Sequence, residues 1–311
     1  MTTAKPRVLA TRHFPPDVEA RLAANFDAVL NLHDQLYDGP TLIKATHGCD
    51  AIMCAAGDPL NAETIAALPA SVRMIATFSV GYEHVDVTAA TKRGIAVSNT
   101  PDVLTDATAD IAMLCLLGAA RRAHEGMHML RTHNWVGWTP TQLMGVHVTG
   151  KRLGILGMGR IGQALADRAR AFRMQIHYSN RTRLPADLEK GAIYHAHPDA
   201  MLSHCDFLSI NAPMSPATHK WVNAERIAKL PKGAIVVNTA RGGVVDDEAL
   251  IAALKNGHLS AAAIGPGKVR NGHKVLFRML ELALIIGGHR LGFALDDLNP
   301  VEQRGTKLGS E

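Results

Sequence analysis

Short apolar segments alternate with amphipathic segments along most of the chain. Apolar runs at 7–10, 26–30, 51–54 and 74–78 have the length of strands, and the apolar spacing over 16–25 predicts a helix. Strands that alternate with helices are typical of a parallel sheet covered on both faces. The pattern therefore predicts an α/β fold.

The middle of the chain carries a longer apolar helix and then an irregular segment. The helix is predicted over 105–122, with Thr105 as its N-cap. Its predicted apolar face comprises Ile111, Leu114, Cys115 and Gly118. Residues 132–150 contain two tryptophans, glycine and proline in no regular spacing, so we expect a projecting loop.

A second series of strand–helix pairs extends over 153–264. Its later strands are predicted at 207–210, 234–237 and 259–264. The chain is long enough for two ordinary domains. A smaller domain that ends near residue 100 and a second domain beyond it form the natural division.

The start of this second series contains the most informative motif. Gly157, Gly159 and Gly162 follow an apolar strand and open a helix. In this context the first glycine permits a tight turn, the second lets the backbone approach a pyrophosphate, and the third lets the helix pack against the strands. The N–H groups at the start of the helix would face the phosphate. We predict a dinucleotide site.

The loop after the next strand indicates which dinucleotide is bound. An acidic residue there accepts the ribose hydroxyls of NAD, but this chain reads Asn180-Arg181-Thr182-Arg183. A 2′-phosphate would meet no repulsion, and Arg181 and Arg183 could pair with it. We therefore expect Asn180, Arg181 and Thr182 to bind the cofactor, with NADP(H) preferred and NAD(H) also possible. The alternative is a loop with two solvated arginines.

The composition argues against two other classes of protein. The 311 residues are 47% apolar and 20% charged, with a net charge of +5, as in an ordinary globular protein. No basic block with interleaved aromatic residues suggests nucleic-acid binding. The longest apolar run, 111–120, is too short for a transmembrane helix. We expect no nucleic-acid partner and no membrane partner.

Cysteines and histidines give no sign of a disulfide framework or a metal site. The four cysteines lack CxxC spacing and the chain starts without a hydrophobic signal region, so we expect a reduced, cytoplasmic protein. Among sixteen histidines, the pairs His128/His133 and His195/His197 have no carboxylate or cysteine at ligand spacing. No metal site is predicted.

Five segments together resemble the D-isomer-specific 2-hydroxyacid dehydrogenase family, in particular its glycerate dehydrogenase and glyoxylate/hydroxypyruvate reductase branch. These segments are residues 78–86, 105–110, 157–163, 211–218 and 237–246. The similarity extends over about residues 5–263, and the block Asn-Thr-Ala-Arg-Gly that starts at Asn238 is highly specific.

The resemblance implies an architecture. It is α/β, with two doubly wound, Rossmann-like parallel-sheet domains and a cleft between them. Residues 1–100 and 290–311 would form a flavodoxin-like substrate-binding domain, and residues 101–289 the dinucleotide-binding domain. The family is typically homodimeric through the long helix and the loop near 105–150, so a homodimer is expected.

The resemblance also implies roles for substrate-binding residues. Val80 and Gly81 would donate backbone N–H groups to the substrate carboxylate. Arg241 would hold the carboxylate and polarise the keto oxygen, a role that suits its fixed, charged fork. Trp138 resembles an aromatic residue that reaches the partner subunit's active site. Simpler interpretations remain, namely a plain turn at Gly81, a surface ion pair at Arg241 and dimer packing at Trp138.

Several further positions would contact the cofactor. Thr108 would approach it from the long helix, or contact it only peripherally. Arg160 and Ile161 would cover the pyrophosphate. The residues expected on the nicotinamide side are Ala212, Pro213, Thr239 and Ala240.

The resemblance stops after Ile264. Arg270 stands where the family has a glutamate that keeps a catalytic histidine charged, and a cation there would lower that histidine's pKa. His289 lies near the position of that histidine, and is either the acid/base group or a chance placement. A reading-frame shift near codon 265 would explain the abrupt change.

These expectations combine into one leading function with two alternatives. The leading one is an NADPH-preferring reductase of small 2-keto acids, glyoxylate or hydroxypyruvate, with Arg241 and His289 as catalytic residues. The first alternative is a dinucleotide-binding protein without turnover, an impaired relative or a sensing scaffold like the C-terminal-binding-protein corepressors. The second keeps the enzyme but admits a larger 2-keto acid beside Met53.

Overall fold

The chain forms two compact units. The computed structural model describes residues 4–264 and divides them after Ala107, within a long helix that spans Thr105–Ala120. The segments 265–289 and 290–311, which were assigned to the two predicted domains, lie outside the described residues, as do Arg270 and His289.

The first unit is a parallel five-stranded sheet with helices in its connections. Its strands are β1 (Arg7–Ala10), β2 (Asp27–Val29), β3 (Ala51–Cys54), β4 (Met74–Thr77) and β5 (Ala96–Ser98). Its helices are α1 (Pro16–Asn25), α2 (Gly39–Ala45), α3 (Ala62–Ala67) and α4 (Val87–Lys92). The strand order β2-β1-β3-β4-β5 is the flavodoxin-like, doubly wound order.

Asparagine and aspartate side chains start three helices of this unit. Asp38, Asn61 and Asp86 accept hydrogen bonds from backbone N–H groups in the first turns of α2, α3 and α4. Such caps satisfy donors that have no partner within the helix. The strands bury Leu9, Ile52, Ile75 and their neighbours in one core.

The second unit is a parallel six-stranded sheet. Its strands are β6 (Arg152–Leu156), β7 (Gln175–Ser179), β8 (Ile193–Tyr194), β9 (Phe207–Ile210), β10 (Ala234–Asn238) and β11 (Leu259–Ile264). Its helices are α5 (Thr105–Ala120), α6 (Ala123–Arg131), α7 (Arg160–Ala171), α8 (Ala186–Glu189), α9 (Pro198–Leu202), α10 (Ala224–Lys229) and α11 (Asp247–Lys255).

The order of these strands is β11-β10-β9-β6-β7-β8, which is the order of a dinucleotide-binding Rossmann sheet. One apolar cluster includes residues of α5, α7 and the sheet, and another includes residues of α9, α10, α11 and the sheet. Burial of the sheet by two such clusters explains why its strands read as continuous apolar runs. The α/β class with two doubly wound parallel sheets is confirmed.

Two details predicted for α5 are wrong. Thr105 is the first helical residue rather than the cap. Leu114, a member of the predicted apolar face, is 39% exposed, whereas Cys115 is 3% exposed and Gly118 is buried. The helix is apolar around most of its circumference, so periodicity alone could not identify the face that packs against the core.

The segment after α6 has the predicted irregular form. Residues 132–150 contain neither helix nor strand. Val136 is 91% and Trp138 77% exposed, so the segment presents large apolar side chains to solvent.

Three histidines stack beside β7, a feature that the sequence did not predict. His177 Nδ1 lies 2.9 Å from His195 Nε2, and the rings of His177 and His204 are nearly parallel with centroids 5.3 Å apart. Burial and then the charges of His195 and His204 lower the pKa of His177 to about 4. The ion pair between Arg152 and Asp206 also acts on this ring.

This cluster predicts acid-sensitive stability. As the pH falls below 6.5 the unfolded chain protonates His177 but the folded chain does not until about pH 4. Stability should therefore decrease across that window by up to about 3 kcal/mol. Thermal unfolding of His177→Gln between pH 7.5 and 4.5 should show a shallower loss of Tm than the wild type. The exposed His197→Gln is the matched control, and an unchanged slope in His177→Gln would contradict the assignment.

Candidate cofactor and substrate sites

Three glycines shape the turn between β6 and α7, each for a different reason. Gly157 has φ +91°, and a Cβ there would lie 2.7 Å from the Ala212 nitrogen. A Cβ on Gly162 would lie 2.6 Å from the Gly157 carbonyl oxygen. By contrast, a Cβ on Gly159 would have no atom within 4 Å. Gly157 and Gly162 are thus required by the fold, and Gly159 leaves open space before the helix.

Asn180, the first residue after β7, binds the glycine turn. Its Oδ1 accepts a hydrogen bond from the Met158 N–H at 2.6 Å, and its Nδ2 donates to the Met158 carbonyl at 3.3 Å. These bonds connect the loop after β7, residues 180–183, to the glycine turn. Asn180 therefore positions both segments, a role that its predicted cofactor contact did not include.

The two arginines of this loop have different environments. Arg183 donates from Nε and Nη2 to the two carboxylate oxygens of Glu189, at 2.8 and 3.0 Å. Glu189 therefore neutralises Arg183 and occupies two of its N–H groups, which disfavours the predicted pairing of Arg183 with a phosphate. Arg181 and Thr182 are exposed, and within residues 4–264 Arg181 has no hydrogen bond or ion pair.

Two buried polar atoms without partners lie next to the predicted nicotinamide side. Asn211 follows β9 and precedes Ala212 and Pro213, and its Oδ1 is buried without a hydrogen bond. Thr239 follows β10, and its Oγ1 is also buried without a hydrogen bond. Unsatisfied buried groups are rare, and a missing ligand is one explanation. Asn211 was not singled out from the sequence, although a polar residue directly after a buried strand was a usable signal.

Arg241 lies just beyond β10 in a turn that Asn238 holds. The buried Asn238 accepts a hydrogen bond from the Ala240 N–H at 3.0 Å and donates to the Arg241 carbonyl at 2.9 Å. The Arg241 side chain is exposed, and its Nη1 donates to the Ala240 carbonyl at 3.1 Å. The turn therefore fixes the backbone of Arg241 while its guanidinium reaches solvent.

These residues follow adjacent strands of one parallel sheet. The glycine turn follows β6, Asn180 and Arg181 follow β7, Asn211 and Ala212 follow β9, and Thr239, Ala240 and Arg241 follow β10. Ligands of open α/β sheets bind outside the carboxyl ends of the strands, where the strand order reverses. The order reverses here between β6 and β9, so the predicted cofactor residues meet at the expected edge.

Other predicted cofactor residues have less defined surroundings. Arg160 is exposed at the first position of α7, whose N-terminus faces any ligand of the turn, and Ile161 beside it is half-buried. Thr108 is half-buried in α5. Trp138 is largely exposed in the irregular segment.

In the first unit, the loop after β4 contains Val80 and Gly81, whose backbone N–H groups were predicted to bind the substrate carboxylate. Asn99 Nδ2 donates to the Val80 carbonyl at 2.8 Å, and Ser79 Oγ donates to the Gly81 carbonyl at 2.6 Å. Across the described chain, the N–H groups of Val80 and Gly81 have no hydrogen-bond partner. The loop thus fixes its carbonyls internally and keeps two donors available.

Residues 4–264 contain no candidate metal site and no candidate membrane-spanning helix. No group of three or more His, Cys, Asp or Glu side chains there is arranged to hold a metal ion. No helix in that part of the chain combines the length and apolar character that crossing a bilayer requires.

Comparison with known proteins gives consistent matches. The family "D-isomer specific 2-hydroxyacid dehydrogenase, NAD binding domain" matches residues 113–265. A glycerate dehydrogenase of Hyphomicrobium methylovorum is 41% identical, with 83% of this chain and 81% of that protein aligned. A glyoxylate reductase of Thermococcus kodakarensis is 40% identical, over 84% and 79%.

A solved structure extends this similarity to the fold. The NADPH-dependent glyoxylate/hydroxypyruvate reductase of Sinorhizobium meliloti, crystallised with NADP and malonate, has a TM-score of 0.77 and 32% identity to this chain. The match covers 87% of this chain and 82% of that one.

Proposed function

The chain belongs to the D-isomer specific 2-hydroxyacid dehydrogenase family, whose members bind a nicotinamide dinucleotide, and we propose that it reduces glyoxylate and hydroxypyruvate with NADPH. The products would be glycolate and D-glycerate, and NADH would serve less well. The observation that carries this proposal is that three features lie at one edge of the sheet of the second unit. They are the open glycine turn, the loop 180–183, which contains arginines and no carboxylate, and Arg241. Relatives named glycerate dehydrogenase and glyoxylate reductase support the substrate class.

The residues present fit such a cofactor. Gly159 leaves room for a pyrophosphate, and the unsatisfied Asn211 Oδ1 and Thr239 Oγ1 offer polar groups beside the proposed nicotinamide position. When bound, the nicotinamide supplies the hydride that reduces the substrate carbonyl.

The chain's own contribution would be orientation and charge stabilisation. Arg241 holds the substrate carboxylate through a bidentate pair and stabilises negative charge that develops on the carbonyl oxygen. Val80 and Gly81 donate their backbone N–H groups to the anionic substrate. His289, outside the described residues, is proposed to supply the proton to that oxygen.

Turnover is tested by following NADPH absorbance with glyoxylate and with hydroxypyruvate, and calorimetry measures binding of NADPH in parallel. Consumption with both substrates is expected. Tight NADPH binding without consumption would contradict the proposal and favour the alternative of a non-catalytic dinucleotide-binding protein. Failure to bind NADPH or NADH would contradict both.

NADPH preference is proposed to depend on Arg181. Arg181→Gln should raise KM for NADPH about 10- to 100-fold, because a charge-assisted hydrogen bond to the 2′-phosphate is lost, and should leave KM for NADH nearly unchanged. Steady-state kinetics with both cofactors provide the measurement. Arg173→Gln, an exposed arginine at the amino end of β7, is the control. Equal KM changes for both cofactors in Arg181→Gln would contradict the role.

We also propose a cytoplasmic homodimer. Leu130 of α6 and Val136, Trp138 and Met144 of the following segment are at least 60% exposed, a concentration of apolar surface typical of an interface. All four cysteines are buried free thiols, as expected in a reducing compartment. Light scattering on the assayed sample should give the mass of two chains, and a monomer mass would contradict the dimer.

A further inference from the structure

A network of buried hydrogen bonds holds the loop after β7, residues 180–183. Tyr178, the fourth residue of β7, is fully buried, and its hydroxyl donates to Glu189 Oε1 at 2.6 Å. Glu189 is 6% exposed at the end of α8 and also receives the bidentate pair from Arg183. The Tyr178 hydroxyl in turn accepts a hydrogen bond from the Leu184 N–H at 3.0 Å.

The network fixes one end of the loop, and the Asn180–Met158 bonds fix the other. Leu184 is attached to Tyr178, Arg183 is attached to Glu189, and Asn180 is attached to the glycine turn. Only Arg181 and Thr182 lie between these attachments, and both are exposed. Because the loop is short and held at both ends, the backbone from which Arg181 projects has little freedom.

The network also sets the charge of the loop. An unpaired Glu189 carboxylate close to the loop would repel a 2′-phosphate, but Arg183 neutralises it. Arg181 therefore keeps a positive charge that no described side chain balances. Arg183 is thus paired within the protein, and Arg181 is available to a ligand.

We propose that Tyr178 and Glu189 are positioning residues that hold Arg181 where it contacts the 2′-phosphate of NADPH. This inference rests on the NADPH preference proposed above. Neither residue would touch the cofactor, and both would act through the loop. Tyr178 and Glu189 would therefore determine cofactor selectivity without contributing to the reduction itself.

The protonation states of the network support a role at all ordinary pH values. The hydrogen bond from Arg183 and then that from Tyr178 lower the pKa of Glu189 to about 2. Burial and then the hydrogen bond with Glu189 raise the pKa of Tyr178 to about 12. The network should keep the same charges from pH 5 to 9, so the preference for NADPH should not change through titration of these two groups.

The test compares Tyr178→Phe and Glu189→Gln with Arg181→Gln in steady-state kinetics and in calorimetric titration with NADPH and with NADH, where Kd should change as KM does. Tyr178→Phe should raise KM for NADPH about 3- to 10-fold, with KM for NADH and kcat within twofold of the wild type. Glu189→Gln weakens the same attachment but leaves the charge of Arg183 unbalanced, so its KM for NADPH should rise less than that of Tyr178→Phe. Tyr178→Phe removes one hydroxyl and keeps the ring, and Glu189→Gln keeps the shape and removes the charge. A merely structural defect would change both cofactors alike.

Double variants show whether the network acts through Arg181. In Arg181→Gln, the added Tyr178→Phe should raise KM for NADPH no further, because the contact it positions is already absent. Additive increases, or equal effects on NADH, would overturn the positioning role while the NADPH preference stands. If Arg181→Gln alone leaves KM for NADPH unchanged, both proposals fail. Should Tyr178→Phe fold poorly by thermal unfolding, Glu189→Gln tests the same attachment with its smaller expected effect.

Discussion

Replacing Arg241 with lysine is expected to lower kcat/KM for glyoxylate about 100-fold or more, and replacement with alanine further still. Lysine keeps the positive charge but loses the planar fork that binds a carboxylate through two parallel hydrogen bonds. Loss of one preorganised donor to developing negative charge costs a comparable factor in other enzymes. Steady-state kinetics with saturating NADPH measure the change.

Glycolaldehyde distinguishes loss of the carboxylate contact from a general defect. It has the reducible carbonyl of glyoxylate but no carboxylate. Arg241→Ala should therefore lose less kcat/KM with it than with glyoxylate, because only the contact to the carbonyl oxygen is removed. Because the two Asn238 hydrogen bonds that hold the turn remain in the variant, Arg241→Ala should lower Tm only slightly. A similar loss with both substrates would contradict carboxylate binding by Arg241, and an unchanged kcat/KM would remove Arg241 from the reaction.

The sequence predicted features whose cause lies within a short segment. The glycine turn was predictable because a positive φ at Gly157 and close packing at Gly162 restrict those positions to one residue type. Most strands of both sheets were predictable because they are short apolar runs between helices, but the short strands β5 and β8 were not predicted. The meeting of several loops at one sheet edge followed from the parallel order of the strands.

Features that depend on contacts between elements could not be predicted. Arg183 appeared available for a phosphate, and only the fold of α8 reveals Glu189 as its partner. The stack of His177, His195 and His204 unites residues from separate elements. A single sequence contains no signal for such pairs.

Predictions after Ile264 remain predictions. They comprise the absence of the family glutamate at Arg270, the role of His289 and the reading-frame shift near codon 265. Sequencing of the coding DNA tests the last of these, since an alternative frame should encode a Glu-Pro pair and a Pro-His pair. If no such frame exists, the divergent segment is genuine and His289 becomes the residue to substitute.

Two alanine substitutions in the glycine turn should differ in their effect on stability. Gly157→Ala should destabilise the second unit by about 2–4 kcal/mol, because alanine is strained at φ +91° and its Cβ would meet the Ala212 backbone at 2.7 Å. A Tm decrease of roughly 5–10 °C should follow. Gly159→Ala should leave Tm almost unchanged, because φ is −77° and the space around its Cβ is open.

Gly159→Ala, which should keep its stability, should lose affinity for the dinucleotide. In Gly159→Ala the methyl group enters the space through which a pyrophosphate would approach the backbone, so affinity for both NADPH and NADH should fall about 10-fold or more. Calorimetric titration of the folded variant measures this directly, and thermal unfolding without cofactor provides the stability control. If Gly159→Ala binds both nucleotides as tightly as the wild type, the phosphates do not lie against this turn, and the cofactor site must be sought elsewhere. Because Gly159→Ala should remain folded, that result could not be attributed to a damaged protein.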